Sequence, residues 1–433
     1  MTTLGFNKQY LPYTRGVVNE NNVVNFGQDS TFDGNTTAAA NADGNGIGNF
    51  KYAVPSGHLA LCSKNLPEST VNTSSDDRPE DYFNTVLYTG TGSPADHTLG
   101  FKPNLVWGKK RGANAQNNWL IDDVSDINTW LSSDGNTAEG SEANGTVFTA
   151  TGFTTANNDL FVNNGGTYVA WGWKAGGTPT ANNANTSGAM TANSVALNCS
   201  LQSSYTPSGS PTLYPKKMSV NTKAGFSIVV WTGTGAIKTL PHGLSQTHEL
   251  MILKGRDARV WSVHHKNHAN GTYYQNLAGT GAQGADGSMF NNTFPNDNLF
   301  TIGTYNYVNN VNYIGYFWHS VPGFSKIGAY ICTSSATAGS FVECWFKPAF
   351  VLIKCITNTG SWYLLDNKRE PNNELKKYLI SDSNAAEVTA GNFLDFTTTG
   401  FKLRTSGGEV NAAGQTYMFM AIAEDQHKYS EAR

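Results

Sequence analysis

The chain has 433 residues, enough for about three or four domains of ordinary size. Charged residues are only 14% of it, aromatic residues reach 12%, and there are 45 glycines; this composition disfavours helical bundles, coiled coils and α/β enzymes and favours strands joined by turns. The net charge of −3 comes without any block of like charge, so the basic stripe of a nucleic-acid-binding protein is absent and we expect no nucleic-acid partner.

The sequence contains no apolar run that approaches the ~18 residues of a membrane span, which predicts no membrane insertion. Its N-terminus, MTTLGFNKQY, lacks the basic and then apolar layout of a signal peptide. We therefore expect synthesis and folding in a cytoplasm. Five cysteines without a CxxC pair predict buried free thiols rather than a disulfide framework or a zinc site. They are Cys62, Cys199, Cys332, Cys344 and Cys355.

Residues 1–80 contain few and short strand-like runs, at 16–18, 22–26, 50–54 and 59–62. A segment of this size buries too little apolar surface to fold independently. Its unpaired strand edges would invite a partner strand from another chain. We therefore predict that 1–80 is an N-terminal anchor segment completed by a neighbouring subunit or another tail protein.

An internal repeat follows residue 80. The sequence YTGTG at 88–92 recurs as WTGTG at 231–235, and GFKPNLVWGK at 100–109 is echoed by WFKPAFVLIK at 345–354. Each copy then contains a tryptophan strand and closes on a tyrosine strand. The matched markers are Trp119, Trp261 and Trp362, followed by Tyr168, Tyr313 and Tyr417.

The spacing of these markers defines the period. The tryptophans recur after 142 and 101 residues and the tyrosines after 145 and 104, so two independent markers agree within a few residues. The repeat unit is therefore about 100 residues long, with extra residues between the first two copies. We predict repeats at 81–177, 223–326 and 327–433, with a Gly/Thr/Asn/Ser-rich linker at 178–222.

Within a copy, short strand-like runs are bounded by Gly, Pro or Asn. The run at 168–173 places Val169, Trp171 and Trp173 on one face of a strand. Such runs predict an all-β protein of tandem antiparallel β-sandwich modules, jelly-roll or concanavalin-like, that are separate and share one topology. We expect helical turns only near 127–131 and at 370–378.

Two motifs that could carry chemistry favour structural roles. The GTG turns precede a strand and not a helix N-terminus, so they predict hairpin turns rather than phosphate loops. The sequence HHKNH at 264–268 could place two imidazoles four residues apart, but the glutamate of a metalloprotease helix is absent. Because His264 and His265 fall where other copies have Asp122 and Asp366, we predict a polar strand end.

Carboxylate pairs could indicate a glycosidase, which needs two carboxylates facing each other across a cleft. The sequence contains such pairs at Asp76/Asp77, Asp122/Asp123, Glu139/Glu142 and Glu370/Glu374. Glu139 and Glu387 occupy matching places in two repeats, which favours a loop or turn contact over catalysis. No Gly-x-Ser-x-Gly elbow occurs. We predict that the protein is not an enzyme and has no catalytic residue, metal site or cofactor.

Aromatic side chains could stack against sugar rings. Those in predicted strands are expected to pack in the core: Trp107, Trp119, Trp171, Trp261 and Trp362. Those in Asn-rich, copy-specific stretches are the candidate sugar platforms: Tyr273, Tyr274, Phe290, Tyr305 and Tyr307.

The repeat resembles a module of virion proteins of marine bacteriophages, in which Y-T-G-T-G, G-F-x-P-x-L-V-x-x-K, a Trp strand and G-G-x-Y-x-A-x-x-x-K-A-G-G recur in tandem. This sequence carries that pattern at 88–92, 100–109, Trp119 and 165–177. Residues 24–29 and 53–66 look like the last strands of a concanavalin-like sandwich that often precedes the module, and 421–433 looks like the usual chain ending. The resemblance implies a tail fibre or fibre-like adhesion component and assigns no site residues.

Three functions follow as expectations. The first is a virion protein, made in the host bacterial cytoplasm, that attaches the particle to a host surface glycan or protein and forms a homo-oligomer, with a trimer favoured. The second is a capsid- or tail-decorating protein that binds other virion proteins and no receptor. The third is a tailspike-type enzyme that degrades polysaccharide. The receptor-binding residues are unknown from the sequence.

Overall fold

A computed structural model describes residues 28–60, 65, 70–71, 77–113, 116–142, 145–157, 159–305, 307–335 and 339–424. The chain divides into two compact units, Met1–Glu68 and Ser69–Arg433. The repeats lie in the second unit, which also includes residues 69–80 of the segment expected to be an anchor.

In the described part of the first unit, a buried carboxylate organises the turns. Asp43 accepts a hydrogen bond from the backbone N–H of Ala60 at 2.8 Å and one from the side-chain amide of Asn65 at 2.6 Å. The predicted strand at 50–54 is a single bridge residue followed by bends, and residues 59–60 are not in a strand. The runs predicted at 16–18 and 22–26 lie outside the described residues.

The elements of the second unit fall into the three repeats and the segment between the first two. Repeat 1 follows a 3-10 turn at Pro79–Asp81 and contains β1 (Phe83–Thr89), β2 (Asp96–Thr98), β3 (Leu105–Lys110), β4 (Trp119–Asp122), β5 (Thr129–Trp130), β6 (Gly140–Ser141), β7 (Val147–Thr149), β8 (Gly152–Thr154), α1 (Asp159–Val162) and β9 (Thr167–Trp173). The segment 178–222 contains β10 (Val195–Leu197), β11 (Ser200–Leu201) and β12 (Lys217–Asn221). Repeat 2 contains β13 (Phe226–Thr232), β14 (Lys238–Pro241), β15 (Leu250–Gly255), β16 (Ser262–His265), β17 (Tyr273–Tyr274), β18 (Gly284–Ala285), α2 (Gly287–Phe290), β19 (Leu299–Ile302) and β20 (Asn312–Trp318). Repeat 3 contains β21 (Ser325–Ile331), β22 (Phe341–Glu343), β23 (Pro348–Cys355), β24 (Trp362–Asp366), β25 (Leu375–Ile380), β26 (Val388–Thr397), β27 (Gly400–Leu403), α3 (Gly408–Asn411) and β28 (Thr416–Ala423).

The three repeats build their main sheets in the same strand order. Repeat 1 forms the sheet β1-β9-β3-β4, repeat 2 contains β13-β20-β15-β16, and repeat 3 contains β21-β28-β23-β24. In each case the first strand pairs with the last, and all pairs are antiparallel. The common order is what the sequence repeat predicts.

A smaller sheet covers the outer face of each main sheet. The strand orders are β2-β8-β7 in repeat 1, β14-β19 in repeat 2 and β22-β27-β26 within the long sheet of repeat 3. Each pair of sheets encloses its own apolar cluster. The predicted all-β fold with antiparallel sandwich modules is confirmed.

The inner faces of the three main sheets share one further core. Successive residues of a main strand point to opposite faces, so Val351 enters the outer core of repeat 3 while Leu352 enters the shared core. Strands that are apolar on both faces need cover on both sides, and the other two repeats provide it. The sequence suggested three separate modules, but the repeats share one core. It contains side chains of all three: Trp107, Trp171, Ile228, Tyr316, Leu352 and Met420.

The segment 178–222, expected to be a linker, belongs to the sheet of repeat 2. Strand β12 pairs antiparallel with β13, and β10 pairs parallel with β12. Met190, Val195 and Met218 are buried in the outer core of repeat 2. Its Gly, Asn and Ser residues form the turns, while its few apolar residues occupy the buried positions.

The helical turns predicted at 127–131 and 370–378 are wrong. Residues 129–130 form β5, and residues 375–380 form β25, which pairs with β24 and β26. The helices of the described residues, α1, α2 and α3, are four residues long each, and none could cross a membrane.

Candidate functional site

Equivalent contacts join each repeat to the other two. Backbone N–H groups at matching positions donate to carbonyls of the next repeat at 2.8–3.0 Å, and these bonds close a ring. They run from Glu139 to Arg256, from Gln283 to Ile356 and from Glu387 to Arg111. We call the three contact regions the 1–2, 2–3 and 1–3 junctions.

The side chains at these positions differ among the junctions. At the 1–3 junction, Glu387 accepts two hydrogen bonds from Arg111 at 3.0 Å and one from Arg369 at 3.1 Å. At the 1–2 junction, Glu139 pairs with Arg256 at 2.5 Å. At the 2–3 junction, Gln283 and Ile356 make the backbone bond without an ion pair. Glu139 and Glu387 thus make loop contacts, the role that their recurrence favours.

A buried lysine stands at the end of the third main strand in every repeat. Burial lowers the pKa of Lys109, Lys254 and Lys354 to about 8 in each case. Lys109 donates to the carbonyl of Ser383 across the 1–3 junction at 2.5 Å, and Lys354 donates to that of Gly281 across the 2–3 junction at 2.8 Å. Because buried polar groups need hydrogen-bond partners, these ammonium groups donate to loop carbonyls.

A tryptophan fills two of the junctions. The indole N–H of Trp261 donates to the carbonyls of Ser132 and Gly135 at 2.9 and 3.1 Å across the 1–2 junction. Trp362 donates in the same way to Asn276 and Gly279 at 3.1 and 3.2 Å across the 2–3 junction. Each indole thus binds a loop of the preceding repeat.

The 1–3 junction has an asparagine at this position. Trp362 lies opposite Lys354 in the sheet, whereas Trp119 lies opposite Gly108, so Asn118 is the residue opposite Lys109. Its amide Nδ2 donates to the carbonyls of Ser381 and Ser383 at 3.0 and 3.1 Å.

The predicted match of Trp119 with Trp261 and Trp362 is therefore wrong by one residue. Trp119 points into the outer core of repeat 1, where its ring packs edge-on against Phe161 at 4.9 Å. A Cβ at Gly108 would lie 1.9 Å from that ring, so only glycine fits opposite it.

A polar cleft of about 420 Å³ opens at the 1–3 junction. We call it the 1–3 cleft. Loops from two repeats form its wall: Asn117, Ser132, Asp134, Gly135 and Thr137 from repeat 1, and Asp382, Ser383 and Asn384 from repeat 3. Asn118 bonds to both sides of this wall, through Asp134 and Ser383. Asn118, which takes the place of the junction tryptophan, is buried behind this wall.

The two carboxylates of the cleft are held in matching turns. Asp134 accepts the backbone N–H of Asn118 at 2.8 Å, and Asp382 accepts that of Trp362 at 2.8 Å. Burial raises the pKa of Asp382. Lys109 faces both carboxylates, and they oppose the lowering of its pKa by burial. The cleft can therefore offer several oxygen acceptors, while the ammonium group of Lys109 is buried and bonds to Ser383.

The histidine motif forms the strand end that the repeat predicts. His265 lies opposite Leu250 as Asp122 lies opposite Leu105 and Asp366 opposite Phe350. The three side chains accept the backbone N–H two residues further on, at 3.0–3.1 Å. His264, His265 and His268 are buried. The described residues contain no group of three or more His, Cys, Asp or Glu side chains suited to a metal ion.

The other carboxylate pairs also make local contacts. Asp123 bonds to Thr178 and Lys102, while Glu370 accepts the backbone N–H of Lys376 at 2.6 Å. Glu374 pairs with Arg404. Asp76 lies outside the described residues. The cleft carboxylates Asp134 and Asp382 are in none of the pairs that the sequence suggested, although both lie in a Ser-Asp turn that recurs in repeats 1 and 3.

The predicted core tryptophans are all buried: Trp107, Trp119, Trp171, Trp261 and Trp362. Of the predicted platforms, Phe290 and Tyr307 are also buried, so their assignment is wrong. Tyr273 and Tyr274 are half-buried, and Tyr305 is 56% exposed.

An exposed aromatic that the sequence reading missed is Trp345, with 68% of its surface accessible. Its φ is 69°, in the left-handed region that disfavours side chains, and the matching residues Gly100 and Gly243 have φ of 92° and 77°. Phe341, the first residue of β22, is also exposed. The replacement of glycine by tryptophan at 345 was the available signal.

The described cysteines are unpaired. Cys332, Cys344 and Cys355 are buried as predicted, whereas Cys199 is exposed in the turn between β10 and β11, so its predicted burial is wrong. Burial raises the pKa of the Cys332 thiol to about 12. Cys62 lies outside the described residues.

The family model described as "Domain of unknown function (DUF7483)" matches residues 78–205 and 209–426. The chain belongs to the DUF7483 family. The matched residues include the main strands of all three repeats and the whole wall of the 1–3 cleft, so the family model spans the entire ring. No curated protein matches the chain.

Proposed function

We propose that this protein is a bacteriophage virion structural protein, a tail fibre or fibre-like component that attaches the particle to the host surface. The sequence motifs at 88–92, 100–109 and 165–177 support the virion assignment through their resemblance to phage modules. The observation that carries the attachment role is the 1–3 cleft, a polar opening formed by loops of repeats 1 and 3.

The ring suits a protein that presents a surface rigidly. Its shared core joins three repeats into one body, so loops at the junctions are held by buried strands on both sides. Weak contacts at such a site become strong when many copies act together. A homo-oligomer, with a trimer favoured, supplies those copies in the proposal, and residues 1–80 bind the protein to other virion proteins.

A competition experiment tests the attachment role. Purified full-length protein is added to host cells before the phage that encodes it, and the adsorption rate of the phage is measured. Occupied receptors should slow adsorption in proportion to protein concentration. Unchanged adsorption at saturating protein would contradict the attachment role.

A polysaccharide-degrading enzyme is the third and least favoured candidate, and its support is that the 1–3 cleft places Asp134 and Asp382 in one opening. Both carboxylates already accept a strand N–H in the same repeated turn, which gives them a structural role without catalysis. We therefore propose binding without hydrolysis. Release of reducing ends from host polysaccharide by the purified protein would favour the enzyme. A capsid- or tail-decorating role is the second candidate, and it predicts neither receptor competition nor hydrolysis.

A further inference from the structure

The wall of the 1–3 cleft is built for a ligand rich in hydroxyl groups. Its side chains are carboxylates, amides and hydroxyls, and none is aromatic or aliphatic apart from the threonine methyl. Carboxylates accept hydrogen bonds, while amides and hydroxyls both accept and donate. The volume of about 420 Å³ is within the range of about 300–1,000 Å³ for small-molecule sites.

Two buried polar side chains behind this wall each have an atom without a hydrogen-bond partner in the described part of the chain. Asn118 Oδ1 and Ser381 Oγ are buried and have no partner among the described residues. Asn118 bonds the wall residues Asp134 and Ser383, and Ser381 precedes Asp382 in the chain. A buried polar atom without a partner costs about 1–3 kcal/mol. Neither residue lines the cleft, so the proposal rests on the wall residues themselves.

The charge of the cleft selects among hydroxylated ligands. Two carboxylates face the opening, and the ammonium group of Lys109 is committed to the carbonyl of Ser383. Sulfate, phosphate and uronate groups would be repelled by the carboxylates. Neutral sugars match the excess of acceptors through their hydroxyl protons, and amino sugars add a favourable ammonium charge.

A divalent cation fits less well. Calcium takes six to eight oxygen ligands, with carboxylates prominent among them. The cleft supplies two carboxylates, and both already face the positive charge of Lys109.

We propose that the 1–3 cleft binds a neutral or amino sugar residue of a surface glycan and discriminates against sulfated and uronic sugars. This inference rests on the proposed attachment function and names the ligand class of that same site. Without an aromatic platform in the wall, a single site binds weakly, and strong attachment comes from many copies.

Titration by ligand-observed NMR tests the assignment, with glucose, N-acetylglucosamine, glucosamine, glucuronate, glucose 6-sulfate and calcium chloride as probes. We expect at least one of the first three to bind, and the two anionic sugars to bind at least tenfold more weakly. Stronger binding of an anionic sugar, binding of calcium alone, or no binding by any neutral or amino sugar would overturn the inference.

Two variants alter the wall of the cleft. Thr137→Trp adds bulk at an exposed wall position, where folding is not at stake, and should abolish sugar binding. Asp382→Asn removes the charge of one of the two wall carboxylates and should weaken glucosamine binding about tenfold. The control Asp96→Asn removes an exposed carboxylate from the outer sheet of repeat 1 and should bind like the wild type. Unchanged binding by Thr137→Trp would contradict the site.

The adsorption assay separates failure of this inference from failure of the proposed function. If Thr137→Trp protein still slows phage adsorption as well as the wild type, attachment stands and the cleft is not its site. If wild-type protein binds sugar in the cleft but does not slow adsorption, the ligand class stands and the attachment role fails.

Discussion

Glu387 is predicted to be the most important ion-pairing residue of the ring. It is 10% exposed, and its partner Arg369 is 1% exposed and bonds also to Asp366 at 2.6 Å. Asp366 in turn accepts the indole N–H of Trp171 from repeat 1 at 3.2 Å. Burial alone would raise the pKa of Glu387, but its bonds with Arg111 and Arg369 outweigh that effect and hold the pKa below its usual value.

The substitution Glu387→Gln keeps the size of the side chain and removes its charge. Breaking a buried ion pair by removing one partner costs about 3–5 kcal/mol when the other charge is left buried without a partner. Arg369 keeps its bond with Asp366, so the substitution costs less than this. Arg111 is 18% exposed and can be partly hydrated, so the loss of its bonds to Glu387 adds little to the change in unfolding free energy. We expect Glu387→Gln to lower the free energy of unfolding by about 2 kcal/mol, the cost of weakened hydrogen bonds between charged groups.

Glu139→Gln is the matched control at the 1–2 junction. Glu139 is 28% exposed and bonds a single arginine, so we expect a loss of about 1 kcal/mol. The 2–3 junction already carries Gln283 at this position. Urea unfolding followed by tryptophan fluorescence and circular dichroism measures both losses, provided that the slope of unfolding free energy against urea is unchanged. Equal losses in the two variants, or a loss below about 1 kcal/mol for Glu387→Gln, would refute this reasoning.

Three further outcomes are expected. Trp345→Gly should raise the free energy of unfolding by about 1 kcal/mol because it relieves the left-handed backbone of an exposed residue; a loss of stability in urea unfolding would show that the indole makes contacts that outweigh the strain. Burial lowers the pKa of His264 to about 3 and holds that of His248 well below its usual value, so the unfolded chain takes up protons below about pH 6.5 that the folded chain does not, and stability falls as the pH drops towards 4. Both ring nitrogens of His248 lack a partner among the described residues, so His248→Phe should remove about 2 kcal/mol of the stability loss between pH 7 and pH 5, and an unchanged loss would contradict this account. Deleting residues 1–68 should leave the second compact unit folded with an unchanged melting temperature but absent from virions, whereas deleting 1–80 also removes the buried Val71 and should lower that temperature; normal incorporation of the shorter deletion into particles would place the anchor elsewhere.

The sequence predicts the strands of each repeat because local rules govern them. Alternation placed Val169, Trp171 and Trp173 on one face, and the structure buries all three in the shared core. The match of His265 with Asp122 is equally local, because the turn after each strand needs a side chain that accepts a hydrogen bond from its backbone N–H. These features depend on residues a few positions apart.

The ring depends on contacts that no local rule reveals. Glu387 meets Arg111 across 276 positions, and the only hint in the sequence was the recurrence of Ala-Glu in two repeats. The turn between β3 and β4 differs in length among repeats, so alignment by the tryptophan itself hid the exchange at Asn118. The cleft escaped prediction because its wall combines loops of repeats 1 and 3 that are about 250 positions apart in the sequence.

The orientation of the ring in the virion tests the attachment account most directly. A cryo-electron microscopy map of the phage that encodes the protein would show where the three repeats lie and which junction faces outward. The account predicts density at the tail, with the first unit towards the particle and the wall of the 1–3 cleft exposed to solvent. A cleft covered by another virion protein, or a ring embedded in the capsid surface, would contradict it.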